Sequence, residues 1–273
     1  LSRIEEGIKK KIEHIGAPLK TWDISINYGI KTGFNDAFII NEQKRAEILA
    51  NCTNAAERRR TEEIIRPILR GRDVKRYSYE WAGLHLIASH NGIPEKNVPR
   101  IDIENYPAIK AHLDSYWQEI KDRSDQGDTP YNLRSCAYMD DFSKPKIVWG
   151  DISDVPKFAL DAKGEFFCSN TIYFLTGTSL EFLFCYLNSP LSEHLFSKIG
   201  SSTGVGTTRW QFFTIEQLFV PRITHKERDE FVRLLSQLRL GRITEPDINR
   251  RIYALCELTE SEIAFIESES IST

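Results

Sequence analysis

Apolar residues recur at helical spacing at both ends of the chain and at strand spacing between them, and this change of period restricts the fold more than any other feature. Ile4, Ile8, Ile12 and Ile15 follow a helical period, which predicts an amphipathic opening helix ending near Gly16 and Pro18. From His225 onward the period is helical again, through Phe231, Leu234, Leu235 and Leu238, then Ile248, Ile252, Leu255 and Leu258, then Ile263 and Ile266. In between, Ile24, Ile26, Tyr28 and Ile30 alternate as a strand does, with a turn at Lys31-Thr32-Gly33 and a hairpin partner over 37–40. Further short strands are predicted at 74–77, 84–88, 146–149, 158–160, 166–168 and 171–175. Helical stretches cover 42–69, with breaks around Cys52 and before Pro67, then 106–122, then 180–199 with a break at Asn188-Ser189-Pro190. The pattern gives an α+β fold: a mixed-sheet domain over 21–223, a linker helix over 1–20 and a helical segment over 224–273.

Composition narrows the class. Apolar residues make up 41% and charged residues 27%, enough to build a core while remaining water-compatible. No apolar run is long enough to span a bilayer, and the charged start (Arg3, Glu5, Glu6, Lys9) is unlike a secretory signal. The absence of a starting Met reads as a piece of a longer product. Five scattered cysteines without a C-x-x-C pair argue for reduced, buried thiols in a cytoplasmic protein. Six histidines show no ligand spacing, and no metal is assigned. The net charge of −3 argues mildly against nucleic-acid binding. However, Arg58, Arg59, Arg60, Arg66, Arg70, Arg72, Lys75 and Arg76 crowd one stretch with only Glu62, Glu63 and Asp73 against them. A local patch, rather than the average charge, decides where phosphate can dock.

Catalytic signatures are scarce. A methyltransferase needs a glycine-rich cofactor loop and a tetrapeptide that grips the flipped base, and neither is present. Gly204-Val205-Gly206 lacks the spacing of a phosphate or dinucleotide loop. One alternative is a Mg²⁺-dependent nuclease built from Asp151, Asp154, Asp161 and Lys163, since acids followed by acid-x-Lys can hold a metal and polarise a phosphate. The preferred reading is a hairpin in which 158–160 and 166–168 flank a turn containing Asp161, Lys163 and Gly164.

The run Tyr28-Gly29-Ile30-Lys31-Thr32-Gly33-Phe34-Asn35-Asp36-Ala37-Phe38-Ile39-Ile40 resembles the TaqI-like specificity domain found toward the C-terminal side of type IIG restriction–modification enzymes. Further matching blocks follow in order: Ile65-Arg66-Pro67-Ile68-Leu69-Arg70-Gly71-Arg72-Asp73-Val74-Lys75-Arg76-Tyr77, Tyr106-Pro107-Ala108-Ile109, Leu133-Arg134-Ser135-Cys136-Ala137-Tyr138, Lys144-Pro145-Lys146-Ile147-Val148-Trp149 and Leu187-Asn188-Ser189-Pro190. The segment Ile252-Tyr253-Ala254-Leu255-Cys256-Glu257-Leu258-Thr259-Glu260-Ser261-Glu262-Ile263 is similar to the helical tail of the same enzymes. The resemblance implies a target-recognition domain that binds double-stranded DNA and has no catalytic residue or cofactor of its own. It places an adenine-N6 methyltransferase and a nuclease upstream in the same parent chain or complex, and S-adenosylmethionine and Mg²⁺ belong to that parent.

The expected DNA contacts are Lys31, Thr32 and Asn35 in the first turn, the basic residues Arg70, Arg72, Lys75 and Arg76, and Arg134. The loop containing Ser202, Thr203, Thr207 and Arg209 completes the set, with Arg209 suited to guanine O6 and N7. Each has a plainer reading: a tight turn around Gly33, a solvated helix face, and a linker anchored by Trp210. Trp81, Trp117 and Trp149 are expected in the core. A third functional class, a protein-interaction subunit that never touches DNA, fits the helical ends.

Overall fold

The computed structural model describes residues 2–202, 204 and 207–270. Ser2 starts the first helix, α1 (Arg3–Ile15), with a reciprocal cap. Its hydroxyl accepts the Glu5 N–H while the Glu5 carboxylate accepts the Ser2 N–H, so two amides that a helix start leaves open are satisfied. There follow β1 (Gly16–Pro18), β2 (Ile24–Tyr28), α2 (Asn35–Phe38), β3 (Ile39–Ile40), α3 (Glu42–Ala50), α4 (Ala55–Ile64) and β4 (Ile65–Leu69). Then come β5 (Val74–Lys75), β6 (Ser78–Tyr79), β7 (His85–Ile87), α5 (Pro107–Asp114) and α6 (Trp117–Ile120). The second half holds β8 (Lys146–Gly150), β9 (Ile152–Ser153), β10 (Phe158–Asp161), β11 (Phe167–Cys168), β12 (Ile172–Gly177), α7 (Leu180–Leu187) and α8 (Pro190–Ser197). It ends with β13 (Ser201–Ser202), β14 (Thr208–Arg209), α9 (Phe212–Ile215), β15 (Phe219–Pro221), α10 (His225–Arg239), α11 (Glu245–Leu255) and α12 (Glu260–Glu269). The fold is α+β, as the change of period predicts.

An antiparallel sheet in the order β10-β8-β12-β2 forms the centre. Its strands bury apolar side chains on both faces. Val148, Ala159, Ile172 and Phe174 point into one core, and Ile147, Trp149, Phe158 and Leu175 into the other. This alternation is the period-2 geometry of a strand with both faces covered. The first core is closed by a second, mixed sheet (β11-β4-β7-β3, with β11 and β4 parallel) and by α2 to α6. The second core collects α1, α7, α8 and the three terminal helices, through Ile8, Ile12, Leu183, Phe231, Ile252 and Ile266. The strand pair β1–β15 ties the two ends of the mixed region together beside α1.

Most predicted strands are present, but β4 (Ile65–Leu69) replaces the end of the predicted helical stretch 42–69, Asn35–Phe38 is helical where the strand over 37–40 is expected to begin, and two pairings differ. The β2 strand joins β12 and β3 joins β7, so the predicted hairpin over 24–40 is replaced by a crossing from the central sheet to the second one. The cause is local: the Thr32 hydroxyl accepts the Phe34 N–H and donates to Asn35 Oδ1, and Asn35–Phe38 then closes a helical turn that buries Ala37 and Phe38. The predicted hairpin over 158–168 also fails, because β10 pairs with β8 and β11 with β4. Asp161 redirects the chain there. It is 1% exposed, its Oδ1 accepts the Glu165 N–H, and its Oδ2 accepts the Phe166 N–H and the Lys146 ammonium at 2.6 Å. Trp149 is in the core as expected, whereas Trp81 and Trp117 are exposed at 40% and 37%.

Candidate nucleic-acid interface

Five strand ends converge on one edge of the molecule: the C-terminal ends of β2, β4, β8 and β11 and the N-terminal end of β12. The turns that leave them are stitched to one another. The Gly29 N–H donates to the Ile172 carbonyl (2.9 Å), Ile30 N–H to Cys168 (2.8 Å), Ser169 N–H to Leu69 (2.9 Å) and Asp151 N–H to Thr171 (3.1 Å). The Thr171 hydroxyl accepts the Gly71 N–H at 2.9 Å, and the Trp210 N–H reaches the Asp151 carbonyl at 2.9 Å. Gly29 is obligatory in this packing, because a Cβ there would lie 1.8 Å from the Ser169 carbonyl oxygen. The result is a rim of short loops on a rigid scaffold, the arrangement in which binding residues are usually placed.

A buried arginine fixes the rim from beneath. Arg123 donates to the carbonyls of Thr32 (2.7 Å), Ile120 (3.2 Å), Asn132 (2.7 Å) and Pro130, and it lies over the Phe38 ring. Burial lowers its pKa to about 10, so it stays charged at neutral pH while holding the loops around 32 and 132 in register. Tyr138 adds a hydroxyl bond to the Tyr28 carbonyl at 2.9 Å, and Lys31 lies 5.9 Å from the centre of the exposed Tyr28 ring.

Of the expected contacts, Lys31, Asn35, Arg72, Arg134 and Arg209 are exposed on or beside this rim. Lys31, Asn35 and Asp125 line one cleft, and Lys31 and Arg134 line its neighbour. Arg134 also approaches Asp125, at 3.4 Å. Others are taken up by the fold. Thr32 is 1% exposed and its hydroxyl is spent on Phe34 and Asn35, so it cannot reach a phosphate. Arg70 makes a two-pronged pair with buried Asp73, at 2.8 and 3.1 Å, and does not form a clamp with Arg72. Arg76 is pinned to Glu245 of α11 at 2.6 Å. Lys75 is half-buried and donates to the Arg72 carbonyl. Thr207 is half-buried, whereas Thr203 and the Ser202 side chain lie outside the described residues.

The stretch around Arg209 is not a simple linker. Its flanks β13 and β14 pair antiparallel and continue onto β9, so Arg209 sits opposite both Ser201 and Ile152. Trp210 is its anchor, stacked on Phe196 at 4.0 Å between ring centres. Pattern reading missed Asn170 and Thr171, both exposed in the turn between β11 and β12. The available signal was a Ser-Asn pair between two strand-like runs, which marks a turn without marking a contact.

The proposed metal-binding acids do not assemble. Asp151 follows the last residue of β8, while Asp161 pairs with Lys146, the first residue of β8. Five residues of extended chain separate the two positions by roughly 16 Å, whereas ligands to one Mg²⁺ each lie about 2 Å from it. Asp154 is paired with Lys157 at 2.8 Å. The nuclease alternative is not favoured.

A double-cored platform that presents several polar loops along one edge defines a recognition module. Residues 66–220 match the TaqI-like C-terminal specificity domain, and the chain belongs to that family. It is a DNA target-recognition module of the restriction–modification type. Two solved structures share the fold. One is the type IIG restriction endonuclease BpuSI, with a TM-score of 0.61 and 14% identity over 97% of this chain. The other is the type IIL restriction–modification enzyme MmeI in complex with DNA, with a TM-score of 0.61 and 11% identity over 92%. The chain spans 31% and 35% of the lengths of these two chains. No curated protein sequence matches it. Among the described residues no helix is long and apolar enough to cross a membrane.

Proposed function

We propose that duplex DNA lies across the rim of strand ends, with Lys31, Arg72 and Arg134 on phosphates and Arg209 and Asn35 toward base edges. The convergence of five strand ends with these exposed side chains is the observation that carries the reading. Phosphate contacts set register and affinity, and the few side chains that reach the groove set sequence. The chain contributes recognition to a longer cytoplasmic enzyme. An upstream methyltransferase with S-adenosylmethionine and a Mg²⁺-dependent nuclease supply the chemistry. No residue of this chain is assigned to either group.

The test is duplex binding by fluorescence anisotropy at several salt concentrations. Affinity should fall linearly with salt on logarithmic axes, and Lys31→Ala, Arg72→Ala and Arg134→Ala should each flatten the slope by about one unit. In the parent enzyme, Arg209→Ala should relax preference at one base pair by about tenfold to a hundredfold. Duplex binding without salt dependence, or slopes unchanged in folded variants, would contradict the rim as the DNA face. Supplying S-adenosylmethionine, Mg²⁺ or Mn²⁺ should give neither methyl transfer nor strand cleavage by this chain. Cleavage abolished by Asp161→Asn would revive the nuclease reading.

A further inference from the structure

We propose that Asn170 is an adenine-reading residue that makes a two-point contact with the major-groove edge of the base, an inference that rests on the rim being the DNA face. Asn170 stands at the apex of the turn between β11 and β12, in the middle of the converging strand ends. Both its neighbours are fixed. Ser169 donates its N–H to the Leu69 carbonyl and accepts the Ile172 N–H (3.0 Å) on its own carbonyl, and its hydroxyl lies 2.8 Å from that of Thr171. Thr171 in turn holds Gly71 and Asp151. A reading side chain must be held within a fraction of an ångström of its target, and this turn provides such a mounting.

The turn does not need an asparagine for its own geometry. Asparagine in turns usually serves by bonding its own backbone or by adopting a left-handed conformation. Here the hydroxyls of Ser169 and Thr171 do the bonding, and Asn170 is not among the residues with positive φ. Among the described residues its amide has no hydrogen-bond partner, and the side chain is exposed.

The surroundings favour a base edge. Asn170 lines a cleft with Lys31, Asn35 and Asp125. Asp125 makes the cleft interior unfavourable for a phosphate but compatible with the amino group of a base, while Lys31 can anchor the adjoining backbone. The two asparagines differ, because Asn35 Oδ1 already accepts the Thr32 hydroxyl at 2.7 Å. Asn170 keeps both its carbonyl acceptor and its amide donor open. That adjacent pair matches the N6 amino donor and N7 acceptor that adenine alone presents side by side in the major groove.

The experiment presents a randomised duplex pool to the wild-type chain and to Asn170→Ala and Asn170→Asp, and sequences the retained fraction. Thermal melts confirm that each variant is folded. The wild type should prefer adenine at one position, and both variants should lose that preference by about ten- to a hundredfold while keeping the others. The preferred duplex is then made with 7-deazaadenine, which lacks the N7 acceptor, at that position. It should bind the wild type more weakly than the adenine duplex but bind Asn170→Ala no differently. If the chain retains duplex with a normal salt slope yet shows no such position, or the variants keep the wild-type base profile, the role of Asn170 is overturned and the rim reading stands. If the wild type retains no duplex at low salt, the rim reading itself fails and this inference with it.

Discussion

The stretch Arg58 to Arg76 and the turn Ser169-Asn170-Thr171 differ in the way that matters most for recognition. The first is the densest run of positive charge in the chain, and the fold consumes much of it. Arg58 pairs with Glu62, Arg60 with the Asn105 carbonyl, Arg66 lies over the Phe167 ring, Arg70 is held by Asp73 and Arg76 by Glu245. The second carries no charge, yet five strand ends place it at the centre of the rim. Local composition counts the charges, whereas topology decides which of them face outward. A cation with a carboxylate at 2.8 Å contributes little field beyond itself, and an uncharged amide at a strand-end turn can carry more sequence information than several paired arginines.

The comparison divides the polar residues into a set that holds the scaffold and a set that faces the rim, and the largest effect should come from the scaffold. Lys146 and Asp161 form a fully buried pair at 2.6 Å. Lys146→Met should cost about 3–5 kcal/mol, because it strands a buried carboxylate. Combining it with Asp161→Asn should recover part of the loss, since it removes the stranded charge, although the single amide oxygen can accept only one of the Glu165 and Phe166 N–H groups. Chemical denaturation measures both, and a double variant no better than the single would show that the pair is not the source of the loss. Gly29→Ala comes next. Its new methyl would need to displace the Ser169 carbonyl, and overpacking of this kind typically costs about 1–3 kcal/mol. Because the displaced turn carries Asn170, duplex binding should fall with stability. Normal binding in a destabilised Gly29→Ala variant would break the link between stitching and recognition.

Arg70 and Arg72 test the division at its finest, being two residues apart. Arg70→Ala should lower stability by about 1–3 kcal/mol, by leaving the buried Asp73 carboxylate short of a partner, and leave the salt slope of binding as it was. Arg72→Ala should do the reverse: an unchanged melt and a slope flatter by about one unit. Equal slope changes in the two variants would erase the distinction.

What was legible in the sequence follows the same division between local and distant causes. The opening helix, the break at Asn188-Ser189-Pro190 and the terminal helices were readable because caps, prolines and periodicity act within a few residues. Most strand positions are readable, β4 within the predicted helical stretch 42–69 being the exception, and strand partners are not. Pairing β2 with β12 joins segments about half the chain apart, and two local devices, the Thr32–Asn35 hydroxyl bond and the Asp161 carboxylate, turn the chain away from its nearest neighbour. The exposed members of the candidate site were visible as basic or polar residues in turns. The burial of Thr32 and the pairing of Arg76 are not legible locally, because both come from tertiary packing, Arg76 through a partner 169 residues away. Arg123 was silent, since nothing in its flanking residues reveals that four backbone carbonyls converge on it.

The smallest expected effect concerns Asp151, a carboxylate in the rim with no ion pair among the described residues. Burial raises the pKa of Asp151 above its ordinary 3.8, and the backbone amides of Asp151 and Ile152 and the charge of Arg209 only partly oppose that rise. The folded state therefore holds the proton more tightly than the unfolded chain. Between 3.8 and the raised value the folded protein binds more protons, so the contribution of Asp151 favours folding at the low-pH side of that window and is lost as the pH rises through it. Binding should follow the same direction. Protonating Asp151 removes a negative charge beside Arg209, and DNA affinity should rise as the pH is lowered from neutral into the window. One unit charge at contact distance in water is worth about 1 kcal/mol, so the gain should be roughly fivefold at most. Asp151→Asn should bind at neutral pH as the protonated wild type does and should lose this pH dependence. The measurement is the ratio of wild-type to variant Kd across pH at fixed ionic strength, which cancels the titration of every other group. A ratio that stays flat would place Asp151 outside the field that DNA experiences, and with it the strip of rim that joins β8 to Arg209.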